Sequence, residues 1–98
     1  MEKSKPHHPL ETVKELVRVG SVRATNVAMC GAHLLGLGPD DVLKAVLSLS
    51  RADFYKSMTS YADNHEWQDV YRPVTKAGSV YLKLTIRNGV LILSFKEL

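Results

Sequence analysis

The chain reads as an α+β protein, with helices in its first half packed on one face of an antiparallel β-sheet formed by its second half. Three observations predict this. Apolar residues recur at helical spacing up to Leu47, the period changes to two from Tyr55 onward, and Asn88-Gly89 marks a tight hairpin turn between two alternating runs. Helices followed by strands, with one sheet face covered and one open, is the usual solution for such a pattern.

The elements follow in order. Residues 1–8 carry lysines, histidines and a proline without an apolar period, and are expected to form a mobile lead-in. Pro9 suits the first turn of a helix whose apolar positions are Leu10, Val13 and Val17, and Gly20 is placed to end it. Thr25 is the expected cap of a second helix running to about Leu35, with Val27, Cys30 and Leu34 inward and Gly36 beyond its end. Pro39 opens a third helix with a stripe of Val42, Leu43, Val46 and Leu47. Ser50 to Asp53 has the form of a capping box and predicts a short turn before the sheet.

Asn88-Gly89 tolerates the positive φ of a two-residue turn, which pairs Arg87 with Val90. That register sets Leu82 against Phe95, Leu84 against Leu93 and Ile86 against Leu91 on an apolar face. Tyr81 then meets Lys96, Lys83 meets Ser94 and Thr85 meets Ile92 on the other face. For the earlier hairpin, pairing Tyr61 with Trp67 sets Lys56 against Arg72 and Ser60 against Gln68. Opposed like charges cost about 0.2–1 kcal/mol unless an anion lies between them.

With 98 residues and 45% hydrophobic content, one small domain spanning residues 1–98 with a modest core is expected. A net charge of +3, spread over both halves, permits a nucleic-acid partner without demanding one. The lone Cys30 excludes an internal disulfide framework and fits a reducing compartment. No secretory apolar segment and no membrane-length run is visible, so a soluble cytoplasmic protein is expected.

The open face collects Lys56, Met58, Gln68, Arg72, Tyr81, Lys83 and Lys96. Lys and Arg neutralise phosphate, Gln bonds sugar or base edges, and Tyr stacks or donates from its hydroxyl. Any one of these residues alone fits a solvated sheet face, and residue types alone leave RNA binding and small-molecule binding level. The histidines add little: His7 and His8 fall in the lead-in and His33 on a helix, where a partly buried position is expected. His65 stands near Asp63, Glu66 and Asp69, a grouping that fits ordinary turn chemistry; no HxxxH or CxxC spacing points to a metal. Cys30 inside a helix is a poor thiol nucleophile.

The segments DFYKSMTSYAD, WQDVYRP, VYLKLTI and VLILSFKEL, with PHHPLETVKELVRVGSVRAT before them, resemble the MqsR family of type II toxins over nearly the whole chain. The resemblance implies a RelE-like fold and an endoribonuclease that cuts free mRNA without the ribosome, at GC-containing triplets such as GCU. It implies an MqsA-like antitoxin with a zinc-binding domain and a helix-turn-helix DNA-binding domain; the zinc belongs to that partner, and no cofactor is expected here. Lys56, Gln68 and Tyr81 stand at the family's catalytic positions, with Met58, Arg72 and Lys96 as supporting ones. Asn64-His65-Glu66 and Arg87-Asn88-Gly89 depart from the family's usual loops.

Metal-independent cleavage of this kind uses the RNA's own 2′-hydroxyl. Lys56 and Arg72 are the expected clamp on the anionic phosphorane, Tyr81 the proton donor, Gln68 the orienting group and Met58 an apolar contact. Lys and Tyr ordinarily titrate at about 10, so Lys56 serves as base only if a like charge such as Arg72 depresses it; an electrostatic role is favoured. The alternative is a non-catalytic module that binds an antitoxin or nucleic acid and tunes transcription.

Overall fold

Glycine and proline set the helix limits. The computed structural model describes residues 1–98. Helix α1 spans Leu10–Arg18 with Pro9 at its cap, buries Val13 and Val17, and ends before Gly20, whose φ of +83° suits glycine alone. Helix α2 (Asn26–Leu34) is capped by Thr25, whose Oγ1 accepts from Ala28 N at 3.1 Å and donates to Leu93 O at 3.1 Å. Helix α3 (Pro39–Leu47) begins with Pro39, and Asp41 Oδ2 accepts from Gly38 N at 2.9 Å. Val42, Ala45 and Val46 are its buried positions; Leu47, expected in the stripe, is exposed. Ser50 N donates to Asp53 Oδ2 at 2.8 Å, closing the turn at Arg51–Asp53 as expected.

The inward face of α2 differs from expectation. Ala28 and Ala32 are fully buried, whereas Val27 and Leu34 are 71% and 85% exposed and Cys30 is also exposed. The reason is distance. α2 lies so close to the sheet that a Cβ on Gly31 would overlap the carbonyl oxygen of Phe95, so only small side chains fit the contact. His33, on the same helix, is likewise exposed rather than partly buried.

The sheet has seven strands: β1 (Glu2–Lys3), β2 (Val22–Ala24), β3 (Phe54–Thr59), β4 (Trp67–Tyr71), β5 (Val74–Thr75), β6 (Gly78–Ile86) and β7 (Val90–Glu97). Their order is β1-β3-β4-β6-β7-β2, with β5 paired to β6 at one end. All pairs are antiparallel except β2 with β7, which is parallel. The α+β architecture is therefore as predicted, with β1, β2 and β5 added to the two hairpins.

Register is right at one end of the β6–β7 hairpin and shifted at the other. Tyr81 faces Lys96, Leu82 faces Phe95 and Lys83 faces Ser94. Leu84 then pairs with Ile92, Thr85 with Leu91 and Ile86 with Val90, because a bulge at Leu93 adds one residue to β7. The turn is Arg87-Asn88-Gly89, with positive φ at Asn88 and Gly89. Val90 N donates to Ser21 O at 2.9 Å and β2 pairs Val22 with Val90, so the turn is pinned by a remote strand. Val90, Ile92 and Phe95 thereby all reach the core.

The β3–β4 hairpin is displaced by two residues from the expected register. Lys56 faces Val70, Met58 faces Gln68 and Thr59 faces Trp67, so the expected opposition of Lys56 to Arg72 does not occur. A shift of two leaves every side chain on its expected face. A bulge at Tyr55 also matters. Phe54 turns into the core against Tyr71, while Lys56 turns to the opposite face.

Nor is the amino-terminal segment a mobile lead-in. Glu2 pairs with Met58 and Lys3 with Ser57 on the sheet edge. Beyond β1 the chain crosses the helix side of the sheet, where the wholly buried Asp69 accepts from His7 N at 3.0 Å and His8 N at 2.9 Å. The His7 ring stacks on Trp67, and His8 Nε2 donates to Trp67 O at 3.1 Å. These histidines hold the approach to α1.

The flush contact of α2 on β7 yields a direct expectation. Gly31→Ala forces the helix off the strand and destabilises the protein by about 1–3 kcal/mol, as overpacking does, measured by urea unfolding; unchanged stability would show that the contact is looser.

Candidate active site

The face away from the helices carries two transverse rows of side chains. Register places Lys56, Val70, Lys83 and Ser94 side by side on β3, β4, β6 and β7. In the next row Tyr81 is beside Lys96. Arg72 stands on the other side of Tyr81, because Tyr71 pairs with Leu82 and Val80 N donates to Pro73 O at 3.0 Å, bracketing that position. Met58 and Gln68 form a third pair, beyond Lys56. Strands are about 4.8 Å apart in such rows, so these long side chains share one patch. All seven sequence-predicted residues lie on this face.

Contacts among them are aromatic and cationic. The Arg72 guanidinium lies 3.9 Å from the centre of the Tyr55 ring and Lys56 Nζ 5.4 Å from it. Lys96 Nζ lies 5.1 Å from the Tyr81 ring. Val70, in the middle of the patch, is wholly buried beneath these neighbours.

Two carboxylates escaped the sequence reading. Glu2 reaches this face from β1, and its Oε2 accepts from Lys56 Nζ at 2.9 Å. Nothing local signals it, since the pairing of β1 with β3 spans more than fifty residues. Glu66, in the loop before β4, is two positions before Gln68 and therefore on the same side. Its Oε1 accepts from Gln68 Nε2 at 3.0 Å, and its Oε2 is held by the Arg87 guanidinium. His65, by contrast, is in the exposed loop 3.5 Å from Asp63.

The electrostatics separate the two central lysines. The hydrogen bond to Glu2 holds Lys56 above its ordinary 10.5, with smaller help from the phenols of Tyr55 and Tyr81. Like-charge depression of Lys56 by Arg72, the condition for its acting as a base, is not what the site provides. Burial, and then the nearby Lys96, push Lys83 below 10.5. Arg87 first, and then Gln68, hold Glu66 below its usual 4.5.

Residues 5–97 match the family described as motility quorum-sensing regulator, toxin of MqsA. The chain belongs to the MqsR toxin family. It is also 53% identical over 97 residues to the mRNA interferase toxin MqsR of Escherichia coli strain K12, and the match covers 99% of both chains. The quoted motifs of this family coincide with β3, β4, β6 and β7, the strands that carry the two rows.

The Glu66–Arg87 pair gives this member of the family a pH dependence with a definite sign. A carboxyl held below its unfolded value stabilises the fold fully above that value, and the contribution is lost as pH falls through the folded pKa. Glu66→Gln is therefore less stable than wild type at neutral pH, and the gap narrows below the ordinary carboxylate value of 4.5. Urea unfolding at neutral and acid pH measures it; a constant gap would refute the linkage.

Proposed function

We propose that this chain is a ribosome-independent toxin endoribonuclease that cuts mRNA with its own side chains and the RNA's 2′-hydroxyl. The observation that carries the reading is the gathering of Lys56, Gln68, Arg72, Tyr81, Lys83 and Lys96 on one open sheet face. Membership of the MqsR toxin family supports it, as does the name mRNA interferase toxin borne by the relative from E. coli. The preferred site is a GC-containing triplet such as GCU, and an MqsA-like antitoxin neutralises the enzyme. No helix is long and apolar enough to cross a membrane, and an mRNA substrate supports a cytoplasmic site of action.

The chemistry has three requirements. The 2′-oxygen loses its proton and attacks phosphorus, the phosphorane gathers negative charge, and the P–O5′ bond breaks as its oxygen takes a proton. The products are a 2′,3′-cyclic phosphate and a 5′-hydroxyl. Lys56 and Arg72 clamp the phosphorane, and Lys96 adds to the same field. Lys56, kept protonated by Glu2, supplies charge and no base. Tyr81, between Arg72 and Lys96, donates to the leaving oxygen. Gln68 orients the base or sugar, with Met58 as an apolar contact opposite it. Lys83, in the same row as Lys56 and held below its ordinary value by burial, takes the part of general base.

Lys56→Ala and Tyr81→Phe each lower cleavage by about 10²-fold or more while unfolding at the wild-type urea concentration. The measurement is a gel assay on labelled RNA with analysis of the product ends. RNA bound but left intact by wild type would replace this reading with the non-catalytic module. Lys83→Arg keeps the charge but cannot give up a proton under the same conditions. It is expected to bind RNA normally, to lose about 10²-fold in kcat, and to lose the rise of rate with pH. A wild-type pH profile in that variant would assign the base elsewhere.

A further inference from the structure

A glutamine side chain has a donor end and an acceptor end, and nothing in a free amide decides which one meets a substrate. At Gln68 a neighbour decides. Gln68 Nε2 donates to Glu66 Oε1 at 3.0 Å, while Arg87 Nε donates to the other oxygen of Glu66 at 3.0 Å. The Glu66 side chain is only 15% exposed, and Arg87 is tied back in turn: Arg23 Nη2 donates to the Arg87 carbonyl at 2.5 Å. Arg87 keeps Glu66 ionised at neutral pH, and an ionised carboxylate accepts hydrogen bonds but cannot donate them. Only the Nε2 end can face it. Oε1 is turned the other way and accepts nothing from the protein. Gln68 is 8% exposed, and Oε1 is not among the fully enclosed polar atoms that lack a partner, so its remaining accessible edge lies on the outer face of the sheet.

We infer that Glu66 is a positioning residue which makes Gln68 present its carbonyl oxygen to RNA, so that the site selects a nucleobase carrying an exocyclic amino group over one that lacks it. The inference rests on the nuclease reading and adds a specificity determinant to it. The amino groups of guanine, cytosine and adenine satisfy Oε1, whereas uracil has none. The carboxylate acts through Gln68 and touches no RNA itself. It precedes β4 and pairs with an arginine in the turn between β6 and β7, so the discrimination depends on a contact between two loops.

The test uses a short RNA with one mapped cleavage site. Bases flanking the cut are replaced singly by analogues without the amino group: inosine for guanosine, 2-pyrimidinone riboside for cytidine, purine riboside for adenosine. Wild type is expected to lose about tenfold to a hundredfold in kcat/KM at one of these positions. In Glu66→Ala that ratio falls toward one as kcat/KM on the native RNA drops, and Glu66→Gln, which can still accept from Nε2, restores part of the discrimination. A ratio in Glu66→Ala equal to that of wild type overturns the inference and leaves the nuclease reading standing. Wild type that cuts no RNA overturns both. The Gln68 side-chain amide signals, followed by NMR through the protonation of Glu66, give a readout independent of cleavage. They are expected to shift in wild type and in Lys56→Ala but not in Glu66→Gln, and a pH-independent signal in wild type overturns the positioning role.

Discussion

The close approach of α2 to β7 is the contact on which the rest of the structure depends. With Gly31 against the Phe95 carbonyl and Thr25 bonded to Leu93, the helix and the strand are locked at backbone distance. A strand held that way cannot slide. The bulge at Leu93 then lets Ile92 and Phe95 both enter the core while Ser94 and Lys96 turn outward. Because Lys96 is paired with Tyr81 and Lys83 with Ser94, the geometry of the outer face follows from packing on the inner one.

The two bulges have the same effect at opposite sides of the sheet. At Tyr55 an extra residue allows Phe54 to pack against Tyr71 without carrying Lys56 inward with it. A regular strand would place both on one face, and either the core would lose a phenyl ring or the outer face would lose its amine. Cations crowded in this way repel one another. The structure moderates the repulsion with aromatic rings under Lys56, Arg72 and Lys96 and with the carboxylate of Glu2, rather than by spreading the charges apart. The positive field of this face is therefore assembled before any ligand arrives, which is the condition the proposed charge stabilisation requires.

Much of this was legible in the sequence wherever the signal was local. Caps at Thr25 and Ser50, the proline at the start of α3 and the glycine after α1 each act within a few residues, and the helices begin and end where those residues require. Alternation in β6 and β7 separated Tyr81, Lys83 and Lys96 from Leu82 and Leu84 correctly. The failures share one character. Val27 and Leu34 look like the inward stripe of α2 because they are large and apolar, yet the gap is too narrow for them and alanines occupy it. The β3–β4 register was displaced because the longer loop gives no fixed pairing. His7 and His8 looked solvated because their partners, Asp69 and Trp67, are some sixty residues away.

The sequence by itself determined which side chains share a face where the strands are regular, since the two-residue period survives a register shift of two. In β7 the bulge at Leu93 reversed the expectation, taking Ile92 into the core in place of Leu93. The sequence determined the helix limits for the same local reason, and its long motifs pointed to the family. Tertiary structure alone decided which atoms meet. The Glu2 carboxylate on Lys56 and the Arg87 guanidinium on Glu66 join segments that no local pattern relates, and the burial of Lys83 comes from neighbours on other strands. Their formation depends on strand order and on the space left by a helix pressed against β7, and those are properties of the packed chain.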